Sequence, residues 1–293
     1  MTKSVSLLLD RDDLYQRSLA QEASVRAARR GLDLKKPQYA EGSAVSQMEQ
    51  LLAATKGDLR PDGVLLVTSG RESQLPACRR LVRAGASVVF LNRVPDYLDE
   101  LRAENRDVLV AAVTPDQMEI GRLQAEQCRS VAPEGGVVLL ITGTPSSASA
   151  IARREAFLGS VRSKGIDVHV LEGQWTEDSA YEALSDWYRL GARRGKSIQV
   201  VACQNDQMAR GARRALVDHG GDTVGVSLLG CDGLVDEGQR MVQDGVLAGT
   251  IIMPSTSGRA IDLLAAFWEH GARADVVLLP PDAFPLLSEM RSA

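Results

Sequence analysis

The chain has 293 residues, 44% of them hydrophobic and 25% charged, with a net charge of −4. That length exceeds one typical domain and points to two lobes; the composition is that of a globular protein, and the acidic balance argues against a nucleic-acid surface. No run of about 18 apolar residues occurs, so no membrane-spanning helix is expected, and Cys78, Cys128, Cys203 and Cys231 fit neither a zinc-site spacing nor a CxxC pair and read as buried, idle thiols.

Taken in order, Ser4–Leu9 reads as a strand. Asp10-Arg11-Asp12-Asp13 follows, then a helical pattern from Leu14 to about Arg30, closed by Gly31. A weak strand near Gln38–Ala40 leads to a helix over about Ser43–Lys56. Val64–Val67 is the next strand and ends in Thr68-Ser69-Gly70; a helix covers about Glu72–Ala84, and the strand Ser87–Leu91 ends in Asn92-Arg93. Val108–Val113 is a strand followed by Thr114-Pro115-Asp116 and a helix from Gln117 to about Val131. Gly136–Thr142 then leads to a helix over about Ala148–Lys164, and Asp167–Leu171 to the loop Glu172–Thr176. Trp187 and Trp268 fall within helical patterns and are read as core. After Pro254 a helix covers about Ser257–His270, and Val276–Leu279 forms a last strand. Short apolar runs alternating with helical segments predict parallel α/β sheets.

Residues 197–254 are the most informative stretch. Three apolar runs, Ile198–Ala202, Val226–Leu229 and Leu247–Ile252, have the length of buried strands and alternate with two helical segments. The first two end in Gln204-Asn205-Asp206 and Cys231-Asp232-Gly233. Ligands of open α/β sheets bind beyond the carboxyl ends of the strands, so Asn205 and Asp232 are pocket candidates.

The same stretch carries a family resemblance. QNDQMARGARRAL, GCDG and EGQRMVQDGVLAGTI resemble the carboxyl-terminal half of ribose-binding-protein-like sugar receptors, type I periplasmic binding proteins that feed ABC transporters. Effector domains of lactose-repressor-type regulators share that fold. The resemblance implies two doubly wound parallel-sheet lobes joined by a three-strand hinge. Residues 1–114 with 254–280 would form one lobe, and 115–253 with 281–293 the other.

It also implies ligand contacts. Tyr15 sits where the family has an aromatic and Asp13 where it has an asparagine; Asp13 reads equally as a helix N-cap. Thr68 replaces an asparagine. Arg93 falls at the family's Asp-Arg pair and offers a planar fork of donors, against the alternative of a surface arginine. Arg153, four residues before Phe157, matches a ligand-binding arginine. Trp175 holds the aromatic loop position, with ordinary packing as the alternative. Met253 replaces a glutamine. Asp116 reads as a helix cap, with ligand contact as the alternative.

The function implied is a receptor that closes around a small hydroxylated ligand and delivers it to an ABC transporter permease. Ribose itself is expected to bind poorly; a polyol, inositol, hexose or amino-bearing sugar fits as well. The alternative is the ligand-sensing domain of a regulator or kinase system lacking its own DNA-binding module, since a strand beginning at Ser4 leaves no room for a helix-turn-helix. No catalytic residue, metal or cofactor is expected: HExxH, GxSxG and GxGxxG are absent, the three histidines are scattered, and Gly191–Ser197 only approximates a P-loop. The resemblance implies a periplasmic location. SVSLLL is too short for a signal-peptide core, which would imply a cytoplasmic protein if the given start is genuine.

Overall fold

The computed structural model describes residues 2–56, 60–70, 72–161, 165–190, 197–219 and 225–290. In chain order its strands and helices are β1 (Ser4–Leu9), α1 (Leu14–Arg29), β2 (Asp33–Leu34), β3 (Gln38–Tyr39), α2 (Ala44–Ala53), β4 (Gly63–Leu66), α3 (Leu75–Arg83), β5 (Ser87–Leu91), α4 (Leu98–Glu104), β6 (Val110–Pro115) and α5 (Gln117–Val131). They continue with β7 (Gly136–Thr142), α6 (Ala148–Ser160), β8 (Ile166–Glu172), α7 (Glu177–Arg189), β9 (Ile198–Cys203), α8 (Asp206–Asp218), β10 (Ser227–Leu229), α9 (Arg240–Gln243), β11 (Thr250–Ile252), α10 (Thr256–His270), β12 (Val276–Leu279) and β13 (Asp282–Phe284).

The chain divides into two compact units, Met1–Pro115 with Ser255–Leu279 and Asp116–Pro254 with Pro280–Ala293. The first holds a parallel sheet in the order β12-β6-β5-β4-β1-β2, with β3 also pairing with β1. β2 and β3 share one edge of β1, at Ser4–Val5 and Leu8–Leu9 respectively. Pro37 lies between them and has no N–H to continue the ladder.

β1, β4 and β5 are apolar on both faces, as strands covered by helices on each side must be. Alternate side chains go to opposite faces. Leu8, Val64, Leu66, Val88 and Phe90 pack with Leu51, Leu81 and Leu101 of α2, α3 and α4. Leu7, Leu9, Leu65, Val89 and Leu91 pack with Leu19 and Ala23 of α1 and Ile261 and Leu264 of α10.

The second unit repeats the plan with a parallel sheet β10-β9-β7-β8. Val138, Leu140, Val200 and Ala202 face Ala125, Cys128 and Phe157 of α5 and α6. Val137, Leu139, Ile141 and Val201 face Leu184, Trp187, Met208 and Leu216 of α7 and α8. Trp187 is core, as expected, whereas Trp268 is only partly buried against the first unit's core.

Two expectations need correction. Leu247–Ile252 is not one buried strand of the sheet: only Thr250–Ile252 forms β11, and it pairs antiparallel with β13. The amides of Val246 and Leu247 are both donated to the Met241 carbonyl in the turn after α9, so they cannot enter a ladder. Further on, Ala248 donates to Leu228, Gly230 to Gly249 and Asp232 to Ile251, so the segment still runs beside β10. The helical segment expected before it is a π-type turn over Val235–Gln239 followed by the short α9. α4 went unrecognised, because seven residues behind a Pro95 turn carry too little periodicity. The P-loop-like Gly191–Lys196 lies outside the described residues.

Candidate functional site

In the first unit the candidates lie past the carboxyl ends of β1, β4 and β5. Asp13, in extended conformation, caps α1: its carboxylate accepts from the Gln16 amide at 2.8 Å and from Gln16 Nε2 at 3.4 Å. Gln16 Oε1 in turn accepts from the Asp10 and Arg11 amides at 2.8 and 3.2 Å, closing the loop. Asp13 therefore fills the cap role, and Gln16 is the device that holds the turn. Burial pushes the Asp13 carboxyl up, opposed by its bonds from Gln16 and by Arg11. Asp10 is likewise raised by burial, with Arg11 and Arg93 pulling it down.

Tyr15 and Arg93 meet through Asn92. The Tyr15 hydroxyl donates to Asn92 Oδ1 at 3.1 Å, and Thr256 donates to the same oxygen at 2.9 Å. Asn92 has φ +67°, a left-handed conformation that asparagine tolerates better than most residues. The Arg93 guanidinium donates to the Thr68 carbonyl, to Thr68 Oγ1 at 3.1 Å and to the Gly70 carbonyl at 3.0 Å. The buried Thr68 hydroxyl donates to Gly70 as well. Thr68 and Arg93 are thus one bonded pair, with Tyr15 tied to the neighbouring Asn92; Asp13 is engaged by its own helix.

In the second unit Arg153 is the hub. It projects from α6, whose start is capped by Ser147, and is only 5% exposed. Nε donates to Gln117 Oε1 at 2.6 Å, and Nη1 to the Gln204 carbonyl at 2.8 Å and to Cys231 Sγ at 3.5 Å. Nη2 reaches Met253 Sδ at 3.7 Å. Its guanidinium carbon lies 5.6 Å from the centre of the Trp175 ring.

Trp175 has φ +68° and lays its indole on Gly143, where an added Cβ would come within 2.1 Å of the ring. Only glycine permits that approach. Asn205 fixes the same loop: Oδ1 caps α8 by accepting from the Met208 amide at 2.8 Å, and Nδ2 donates to the Trp175 carbonyl at 2.9 Å. Asp232, half-buried with φ +107°, is held by backbone bonds to Ile251 and Met253, each 3.0 Å. Arg153, Trp175, Asn205 and Met253 are therefore brought together, with Asp232 joined through the backbone.

The sequence reading missed several supporting residues. Gln117 and Gln204 orient Arg153, and Gln204 also accepts from the Gly143 amide at 2.9 Å. Asp206 is buried and accepts from Thr250 Oγ1 at 2.7 Å and the Gly233 amide at 2.8 Å. Burial pushes its carboxyl up to about 7, against those donors. The available signal was the glycines around it: a Cβ at Gly230 or Gly238 would come within 2.1 or 2.0 Å of the Asp206 carboxylate. Burial raises the Cys231 thiol to about 12, consistent with an inert cysteine. Among the described residues no cluster of His, Cys, Asp and Glu is arranged to hold a metal, and no helix is long and apolar enough to cross a membrane.

The family model described as "periplasmic binding protein domain" matches residues 7–269. The ribose import binding protein of Salmonella typhimurium is 30% identical over 159 residues, 54% of this chain and 51% of that protein. The chain thus spans about half the length of this curated relative. Among solved structures, an ABC transporter periplasmic solute-binding protein from Actinobacillus succinogenes with bound D-allose superposes with TM-score 0.84 at 19% identity, covering 96% of this chain and 97% of the other. The fructose-binding periplasmic domain of a hybrid two-component system gives TM-score 0.79 at 20% identity, covering 96% and 91%.

Proposed function

The chain belongs to the periplasmic binding protein domain family, and on that footing we propose that it is a solute-binding receptor for a small hydroxylated ligand, passing it to an ABC transporter permease. The observation that carries this reading is the Arg153–Trp175–Asn205 group at the carboxyl ends of the second unit's strands. A sugar or polyol presents paired hydroxyls and apolar C–H faces. A guanidinium and an amide answer the hydroxyls, and an indole covers a face. Charge-assisted hydrogen bonds of about 1.5–3 kcal/mol each replace lost hydration.

The first unit offers a complementary set in Arg93, Thr68 and Tyr15, with Asp13 at the edge of the same loop. Asp232 and Met253 complete the second set. In this reading the two sets engage one ligand, and the ligand-bound form is what the partner recognises. The family is one of periplasmic proteins, and a periplasmic location for this chain goes with the proposal.

A second reading makes the chain the sensing domain of a signalling system, favoured by its structural likeness to the fructose-binding domain of a two-component system. Both readings share the binding step. A thermal-shift screen across pentoses, hexoses, polyols and inositols tests it, because a true ligand stabilises only the folded form. Absence of any stabilisation at millimolar concentrations would refute the receptor reading. Co-purification with a permease or with a histidine kinase then separates the two.

A further inference from the structure

Tyr97 lies beside the Thr68–Arg93 pair of the first unit and carries a hydroxyl that the fold does not use. It occupies the N-cap position of α4 and is only 6% exposed. Its ring sits edge-to-face on Phe90, with centroids 5.9 Å apart and planes at 76°. The hydroxyl oxygen is shielded from solvent and, among the described residues, has no hydrogen-bond partner. Its neighbours are the buried Cys78 thiol, the Thr68 hydroxyl and the Arg93 guanidinium, none of them in hydrogen-bonding geometry with it. Burial pushes its ionisation well above the ordinary tyrosine range, so it is a neutral O–H with one hydrogen to give. A buried hydroxyl without a partner destabilises the fold. Phenylalanine would make the same ring contacts without that cost. Packing therefore accounts for the ring and not for the hydroxyl.

The bonds around Thr68 show the opposite imbalance. Arg93 Nη2 has two hydrogens and three acceptors: the Thr68 carbonyl, the Gly70 carbonyl at 3.0 Å and Thr68 Oγ1 at 3.1 Å. One hydrogen is therefore shared between two acceptors. Thr68 Oγ1 holds the longest of the three bonds, and its own hydrogen is committed to the Gly70 carbonyl. It is the acceptor that Arg93 gives up first when a ligand oxygen competes for Nη2. Thr68 is buried, so water does not replace the lost donor. A spare donor stands next to it in Tyr97.

We propose that Tyr97 is a positioning residue of the binding site: when a ligand hydroxyl draws an Arg93 Nη2 hydrogen away from Thr68 Oγ1, the Tyr97 hydroxyl donates to that oxygen in its place. The hydrogen bond lost inside the first unit is thereby replaced, and Thr68 stays fixed while Arg93 engages the ligand. This rests on the receptor reading and adds to its site a residue that acts through Thr68 without touching the ligand.

The test is isothermal titration of the full chain, native and Tyr97→Phe, with D-ribose, D-allose, sorbitol and myo-inositol, alongside melting curves without ligand. For each compound that the native protein binds, Tyr97→Phe is expected to weaken binding about three- to tenfold, the range of one net hydrogen bond. Its ligand-free melting temperature is expected to stay the same or rise, because an unpartnered hydroxyl has been removed. In a Thr68→Val background Tyr97→Phe should weaken binding no further, since the acceptor is gone. In a Thr68→Ser background, which keeps the acceptor and serves if the valine variant does not fold, the loss should persist. Unchanged affinity in Tyr97→Phe would overturn this inference while leaving the receptor reading intact. So would a lower ligand-free melting temperature, which would reveal a bond made without ligand. An equal loss in the Thr68→Val background, or no loss in the Thr68→Ser background, would also overturn it. Binding of no compound by the native protein would overturn the receptor reading together with the inference.

Discussion

Asn205 joins two functions that substitution can separate. Its Oδ1 caps α8 and its Nδ2 holds the Trp175 carbonyl. Asn205→Ala removes both. Loss of an N-cap costs about 1 kcal/mol, and loss of a hydrogen bond to a partly buried carbonyl about 1 kcal/mol more, so about 2 kcal/mol in all. In a unit of about 150 residues, each kcal/mol lowers the melting temperature by roughly 2–4 °C, giving a fall of about 4–8 °C. Asn205→Asp keeps an oxygen at the cap and replaces the donor to Trp175 by a second acceptor, whose repulsion from that carbonyl is offset by the favourable place of the charge at a helix N-terminus. Its fall should be about half as large, roughly 2–4 °C. Scanning calorimetry is the suitable assay, because two units need not melt together. Ligand affinity should fall alike in both variants, since each releases the Trp175 loop. The reasoning is refuted if the two variants melt at the same temperature, or if affinity follows melting temperature instead of the loss of the Nδ2 donor.

Three further outcomes follow from single residues. Arg93→Lys keeps a charge but loses the guanidinium that Nη2 anchors to the Thr68 and Gly70 carbonyls, and with it the remaining planar donors; titration calorimetry should show affinity reduced by tenfold or more, with a melting temperature within a few degrees of the native one. Gly121→Ala would drive a Cβ to within 2.2 Å of the Arg153 carbonyl oxygen, forcing α5 and α6 apart. A stability loss of about 1–3 kcal/mol is expected from urea denaturation, accompanied by weakened ligand binding because Arg153 moves with its helix. Asp206 has a folded pKa raised by burial to about 7, above the unfolded carboxylate value near 4. Its contribution to stability is fully present below that unfolded value and is lost as pH rises through about 7. The urea midpoint of Asp206→Asn should therefore change less between pH 5 and pH 8 than that of the native protein; an equal change would show that Asp206 is not the titrating group.

Local chemistry determined much of this molecule on its own. Buried parallel strands such as Ser87–Leu91 and Gly136–Thr142 are unbroken apolar runs, and nothing but a strand covered on both faces suits them. Helix starts at Asp13, Asp116, Ser147 and Asn205 are visible because a short polar side chain satisfies a free amide three residues on. Asn205 and Asp232 were legible for the same reason, being polar residues at which apolar runs stop, whereas Asp13, Tyr15, Thr68, Arg93, Arg153, Trp175 and Met253 were expected from the family resemblance. Tertiary structure alone decided what surrounds them. Gln117, Cys231 and Met253 stand 36, 78 and 100 residues from Arg153 in the chain, yet all three bond its guanidinium. It also decided that Thr250–Ile252 pairs with Asp282–Phe284, a short strand with no periodic signal of its own. Periodicity reports which face of a segment is buried, but not which distant segment buries it.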